Sequence, residues 1–296
     1  MIAAAPLRTL KGSGSQRSTQ TTQHKQFIDN VVLRGNTMTR NFRTYLAFAM
    51  MLCGLFGIQT SYAASQADLK GTNVVLVHGA FADGSSWNRV IPLLEAHGLH
   101  VVAVQNPLSS LADDVAATKR AIDQQRGPVV LVGHSWGGVV ISQAGNDDKV
   151  KSLVYVAAFA PDANQSIASI TQGMQAPAWA NELRKDAEGY LTLSDKAVRD
   201  DFALDLPARQ QRIVAATQGP WFSGCAADKV TQAAWHDKPS YFVIPGRDRM
   251  IDPHLQEKMA TEIHAQITHV NASHVAMLSQ PEAVANAILA AARQAH

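Results

Sequence analysis

The 296-residue sequence is poor in cysteine and in charge, and each shortage removes a class of protein. Two cysteines cannot build a disulfide scaffold. Charged residues at 17% against 46% hydrophobic are too few for a disordered chain. Long apolar runs are missing as well. The longest, Tyr45 to Ile58, has 14 residues, short of the roughly 20 that a membrane-spanning helix needs. There is no basic stripe, because the formal net charge of +2 is unevenly spread. Residues 1–63 carry seven Lys/Arg against the single acid Asp29, and the remaining 233 residues carry 19 against 23. The body is therefore mildly acidic and offers no surface for nucleic acid. No H-E-x-x-H and no Cys/His cluster with ligand spacing occurs, so neither a metal nor a cofactor is expected.

What is present begins with a leader. Residues 38–63 read as a secretory signal peptide: Arg40 and Arg43 give a positive start, Tyr45 to Ile58 an apolar core, and Ser61-Tyr62-Ala63 a small-residue cleavage site. Met38 stands where a start would be. Residues 1–37 are polar, rich in Gln, Ser and Thr, and read as an extension or a mis-assigned start. The expected mature chain is residues 64–296, exported to the periplasm or medium and without stable membrane insertion. Cys53 leaves with the leader, and Cys225 alone cannot close an internal disulfide. A chain of 233 residues is long enough to bury a core without that staple.

From Thr72 onward, short apolar runs alternate with helical patterns. Strands are expected at Val74–Val77, Val101–Val104, Val129–Val132, Leu153–Ala158, Tyr241–Ile244 and Ile267–Val270. Helices are expected at Ser86–His97, Leu111–Gln125, from Trp136 to Ala144, Pro253–His264 and Pro281–Arg293. Continuous apolar strands separated by helices imply an α/β fold with a mainly parallel sheet covered on both faces. About 80 residues, from Pro161 to Ser240, separate the fourth and fifth strands. This stretch is helix-like but irregular, too long for a plain connection, and reads as an inserted cap. Its charged segments Arg184-Lys185-Asp186 and Arg199-Asp200-Asp201 read as solvated helix faces.

One motif sits in a strand–turn–helix context. Gly133-His134-Ser135-Trp136-Gly137 is a G-x-S-x-G directly after the third strand and directly before a helix. A tight turn at Ser135 needs small neighbours, which Gly133 and Gly137 supply, and places the hydroxyl at a helix N-terminus that favours developing negative charge. A nucleophilic serine needs a base. His274, four residues past the last strand, is positioned for it; His269 falls inside that strand and His264 at a helix end. An acid must orient the histidine. Asp248 follows the fifth strand, Asp252 looks like a helix cap before Pro253, and Asp162 is the alternative acid. Two backbone N–H groups should form an oxyanion hole: that of Trp136, and one from the loop after the first strand, with Ala80 favoured over Phe81. Phe81, Phe159, Trp179, Trp221, Phe222 and Met277 are candidate walls of an apolar substrate pocket.

These residues resemble the α/β-hydrolase superfamily from about Val74 to Ala292. The anchors are His78-Gly79, Gly133-His134-Ser135-Trp136-Gly137-Gly138, Gly246-Arg247-Asp248 and Ser273-His274. His78-Gly79-Ala80-Phe81 with Trp87 is similar to the small esterase and hydroxynitrile-lyase branch, which includes plant methyl-ester hydrolases. The resemblance implies a serine hydrolase that cleaves small hydrophobic or aromatic carboxylic esters through an acyl-enzyme, without a cofactor. A lactonase, an amidase, a cofactor-free perhydrolase or a non-catalytic ligand-binding protein are the other readings. The departures also carry information. Eight residues between Ala63 and Thr72 leave no room for the superfamily's first two strands, so six are expected. Lyases of the branch carry lysine after the catalytic histidine and replace the glycine of the His-Gly pair; here Val275 and Gly79 stand there. Perhydrolases usually have methionine after the nucleophile, where this chain has Trp136. Dehalogenases and most epoxide hydrolases use an aspartate nucleophile, in place of Ser135.

Overall fold

The computed structural model describes residues 69–295; the expected signal peptide and the polar extension lie outside them. Six strands form one parallel sheet: β1 (Asn73–Val77), β2 (His100–Ala103), β3 (Val129–His134), β4 (Val150–Val156), β8 (Ser240–Pro245) and β9 (Gln266–Val270). Their spatial order is β2-β1-β3-β4-β8-β9. Every residue of β1, β3 and β8 is buried, which explains why those strands read as unbroken apolar runs. The edge strands β2 and β9 are partly exposed and correspondingly more polar. The chain steps from β1 out to β2, then returns across β1 to β3. That reversal opens a crevice at the carboxyl ends of β1 and β3. Val77 pairs with Gly133, so the loop after β1 meets the turn after β3.

Helices α1 (Ile91–Glu95), α2 (Leu111–Asp123), α3 (Trp136–Ala144), α6 (Pro253–Glu262) and α8 (Pro281–Arg293) accompany the sheet. Helix α3 is buried on nearly every side and accordingly mostly apolar, with Ser142 and Gln143 as its polar residues. Helix α8 buries one stripe, including Val284, Ile288 and Leu289. Asp252 caps α6, accepting the His254 N–H at 2.9 Å, as the Asp-Pro pair suggested. The helix expected at Ser86–His97 is instead a 3-10 turn, Gly84–Trp87, followed by the short α1. Pro92 lacks the N–H that would bond Asn88, so the helix restarts there. The cap of the 3-10 turn is Asp83, whose carboxylate accepts the Ser85 N–H at 2.7 Å.

The inserted region is less helical than its sequence suggested. It holds α4 (Ile167–Ile170), α5 (Ala208–Thr217) and a three-stranded antiparallel sheet of β5 (Leu183–Lys185), β6 (Tyr190–Leu193) and β7 (Trp221–Phe222). The hairpin turns at Asp186, whose side chain accepts the N–H groups of Glu188 and Tyr190, while Gly189 takes φ +96°. Arg184-Lys185-Asp186 is thus strand and turn, exposed but not helical. A π-helical turn, Val198–Phe202, buries Asp201, which had read as a solvated helix face.

Candidate active site

Ser135 sits between β3 and α3 at φ +54°, ψ −118°, a conformation costly for a side chain and held by its surroundings. A Cβ at Gly133 would lie 2.4 Å from the Gly137 carbonyl oxygen, and one at Gly137 would lie 2.5 Å from that of Val77. The two glycines therefore provide the room that the sequence argument assigned to them. The Ser135 amide donates to Val156 O at 3.2 Å, and its carbonyl accepts from Gly138 and Phe159.

The three residues singled out from sequence meet in one hydrogen-bonded line. His274 Nε2 lies 2.9 Å from Ser135 Oγ, and His274 Nδ1 lies 2.8 Å from Asp248 Oδ2. The carboxylate accepts only, so Nδ1 carries the proton and Nε2 is left to accept from the serine hydroxyl. Both side chains of the His–Asp pair are buried. Asp248 Oδ1 accepts the N–H groups of Met250 and Ile251, at 2.8 and 3.1 Å. Asp162 lies elsewhere, paired at the surface with His236 at 2.8 Å. His269 pairs with Glu257 on the exposed face of β9. Arg247 and Arg249 flank Asp248 in sequence but reach Asp205 and Asp201 instead, at 3.7 and 4.0 Å.

Gln256 and Asp114 were not singled out from sequence, and His78 and His134 were read only as members of their motifs. Gln256 on α6 is fully buried and donates from Nε2 to Asp248 Oδ2 at 2.8 Å and to Ile251 O at 2.9 Å. Its Oε1 has no partner, so the amide accepts an unsatisfied acceptor in order to aim its donor at the acid. His78 donates from Nδ1 to Gly79 O and accepts the Asn106 N–H at Nε2, both at 2.9 Å. Burial holds it below the usual histidine range, and the neutral ring braces the loop after β1. His134 donates from Nε2 to His274 O at 3.1 Å. Burial, and then the neighbouring His274, keep it neutral. Asp114 on α2 is buried and accepts the Trp136 indole N–H at 2.7 Å and the Leu108 N–H at 2.8 Å. Desolvation pushes its carboxyl up to about 6. For Gln256 and Asp114 the sequence signal was a polar residue on a helix, which periodicity alone does not separate from a solvated position.

Ala80 and Phe81 lie on the loop facing Ser135, and their N–H groups take no part in the backbone hydrogen bonds that tie down neighbouring loops. Phe81 has φ +60°. Gly79 packs so closely that a Cβ there would come within 2.6 Å of Ser135 Cβ. A cavity of about 930 Å³ opens over the loop and the cap, walled by Ala80, Phe81, Phe159, Trp179, Trp221, Leu255 and Asp248 among others. Four of the six expected wall residues are therefore present. Trp221 packs against both Phe81 and Trp136, with ring centroids 5.9 and 5.6 Å apart. Trp179 hangs from Met250 O through its indole N–H. The other two expectations need correction. Phe222 packs on Tyr190 within the cap sheet, because neighbours along a strand face opposite sides. Met277 is fully buried on the short α7 (Ala276–Ser279). Neither lines the cavity.

Comparison with known proteins identifies the fold family. The alpha/beta hydrolase family profile matches residues 74–287. An alpha-hydroxynitrile lyase of Arabidopsis thaliana is 23% identical over 247 residues, spanning 74% of this chain and 96% of that protein. Methylesterase 2 of the same plant is 35% identical over 108 residues, 31% of this chain and 41% of that protein. Among solved structures, a pyrethroid hydrolase from Sphingobium faniae JZ-2 superposes with TM-score 0.66 at 21% identity, covering 75% of this chain and 97% of that one. With strand–turn–serine–helix geometry, sheet order and profile in agreement, the chain belongs to the alpha/beta hydrolase family.

Proposed function

We propose that the protein is a serine carboxylesterase that cleaves small hydrophobic or aromatic esters through an acyl-enzyme. The observation that carries this reading is the Ser135–His274–Asp248 line, with contacts of 2.9 and 2.8 Å, beside a largely apolar cavity. His274 takes the Ser135 proton as Oγ attacks the ester carbonyl. Asp248 stabilises the imidazolium that results. The N–H groups of Trp136 and Ala80 receive the oxyanion, Trp136 at the start of α3 where no intrahelical acceptor exists. His274 then protonates the departing alcohol. Water, deprotonated by the same histidine, attacks the acyl-enzyme, and Ser135 Oγ leaves as it takes that proton back from His274, releasing the acid and restoring the free enzyme.

The cavity volume of about 930 Å³ suits an acyl or alcohol group well beyond acetate. Relatives named methylesterase and pyrethroid hydrolase support an ester substrate. Lyase chemistry is disfavoured: where the lyases of this branch carry lysine, Val275 is buried beside His274. We further propose that residues 38–63 direct export, so that the enzyme acts outside the cytoplasm; cell fractionation should find the chain beginning near residue 64 in the periplasm or medium.

The test is hydrolysis of p-nitrophenyl esters from acetate to laurate by residues 64–296 and by Ser135→Ala. Activity in the wild type should fall roughly 10⁴-fold or more in the variant. Equal activity in both would remove Ser135 from the reaction.

A further inference from the structure

The segment between the π-helical turn and α5 belongs to the cap, yet it is fastened to the loop that carries the base. Asp205 Oδ2 accepts the Ser273 N–H at 2.8 Å, and Oδ1 accepts the Ser273 hydroxyl. Ser273 immediately precedes His274 and is fully buried, and the Asp205 side chain is only 6% exposed. The same cap segment supplies Phe202, whose ring lies 5.3 Å from the His274 ring and whose carbonyl stands 3.4 Å from Ser273 Oγ. Arg249, beside Asp248, donates to Asp200 O at 2.9 Å. From the sheet side, His274 is held by Asp248 at Nδ1 and by His134 at its carbonyl. From the cap side, the grip on its loop is the Asp205 carboxylate, with the Phe202 carbonyl as a longer second acceptor for Ser273 Oγ.

We propose that Asp205 is a positioning residue for His274: the docked cap clamps both donors of Ser273 and thereby sets the base against Ser135. This rests on the serine-esterase reading above. The physical argument is one of geometry. A charge-assisted, two-point clamp on a buried residue fixes the backbone on which the imidazole is mounted. The imidazole must stay within hydrogen-bond reach of both Oγ and the acid, and a displacement of about 1 Å there costs on the order of 100-fold in rate. The Arg247 and Arg249 contacts are half-exposed or more and contribute little by comparison.

A purely structural role in shaping the cap gives a different signature. Acetate is the shortest acyl group and makes the least use of the cap wall. If Asp205 acts on the base, Asp205→Ala should lower kcat for p-nitrophenyl acetate and decanoate alike, by about 30-fold, with KM within about twofold. Asp205→Asn can still accept the Ser273 N–H and donate to its Oγ, and should recover to within about threefold of the wild type. Ser273→Ala, which keeps the N–H, should lose about fivefold. Added to Asp205→Ala, it should cost nothing more. If Asp205→Ala fails to fold, the Asn and Ser273→Ala variants still decide, since full activity in Ser273→Ala together with a large loss in Asp205→Asn would contradict the clamp. Unchanged acetate turnover in Asp205→Ala, or a loss confined to decanoate or to KM, would overturn the proposal. Ser135→Ala, run in parallel, separates the two readings: activity equal to the wild type would sink both. An inactive Ser135→Ala beside a fully active Asp205→Ala would sink this one alone.

Discussion

Two buried side chains, Gln256 and Asp114, hold hydrogen-bond partners in and beside the Ser135–His274–Asp248 line. Gln256 gives Asp248 its fourth hydrogen bond while leaving its own Oε1 unpaired. Gln256→Met keeps the volume and removes the donor. It should lower kcat about tenfold with little change in KM, since a bond to a charged group is worth roughly 1.5–3 kcal/mol and only part of that reaches the transition state. Stopped-flow or steady-state kinetics on one ester would settle it, and a change only in KM would contradict the assignment. Asp114 behaves differently. Its carboxyl is raised to about 6 by burial, against about 4 in an unfolded chain. Between those values the folded protein holds a proton that the unfolded chain has released. The resulting stabilisation is fully present below about pH 4 and is lost as pH rises through 6. Comparing urea unfolding of the wild type and Asp114→Asn should show the wild type losing on the order of 3 kcal/mol relative to the variant between about pH 4 and 7. A pH-independent difference would mean that Asp114 is not the group responsible. Neither residue was legible in the sequence. Gln256 and Asp114 lie on amphipathic helices where a polar residue reads by default as solvated, and only tertiary packing turns them inward.

Elements were legible where one physical demand dominates. The strands buried on both faces announce themselves as apolar runs, and the elbow announces itself because backbone crowding at Ser135 permits only glycine at 133 and 137. A methyl at Gly133 has nowhere to go except into the Gly137 carbonyl, which is backbone and cannot swing away. Gly133→Ala should therefore cost about 3 kcal/mol or more, read as a fall in Tm of roughly 6–12 °C. Retained stability would show that the elbow relaxes, contrary to its tight packing. The cap was misjudged for the opposite reason. Its strands have two to four residues, too short to establish a period-two pattern, and its hairpin is specified by Asp186 and Gly189 rather than by hydrophobicity. Pro92 carried a readable warning that the helix begun near Ser86 would not continue. Phe222 shows the limit of counting aromatics: its neighbour Trp221 lines the cavity, and strand alternation sends Phe222 the other way.

At the scale of the whole molecule, the sheet brings Ser135, His274 and Asp248 together from the ends of three strands, and the cap supplies the far wall of the cavity. Cavity shape should therefore control acyl-chain preference while leaving the bond-breaking step alone. Leu255→Trp fills space on the α6 side, and should reduce kcat/KM for decanoate about tenfold while leaving acetate within about twofold. An equal loss for both esters would place Leu255 in the reaction path rather than in the wall. Under the proposed mechanism, His274 makes Ser135 nucleophilic. The most direct measurement is the rate and site of covalent labelling by a fluorophosphonate probe, read by peptide mass spectrometry on the wild type and His274→Ala. A single phosphonylated residue, Ser135, should appear, with labelling slowed at least about 100-fold in the variant. Labelling at another residue, or at the same rate without His274, would contradict that mechanism.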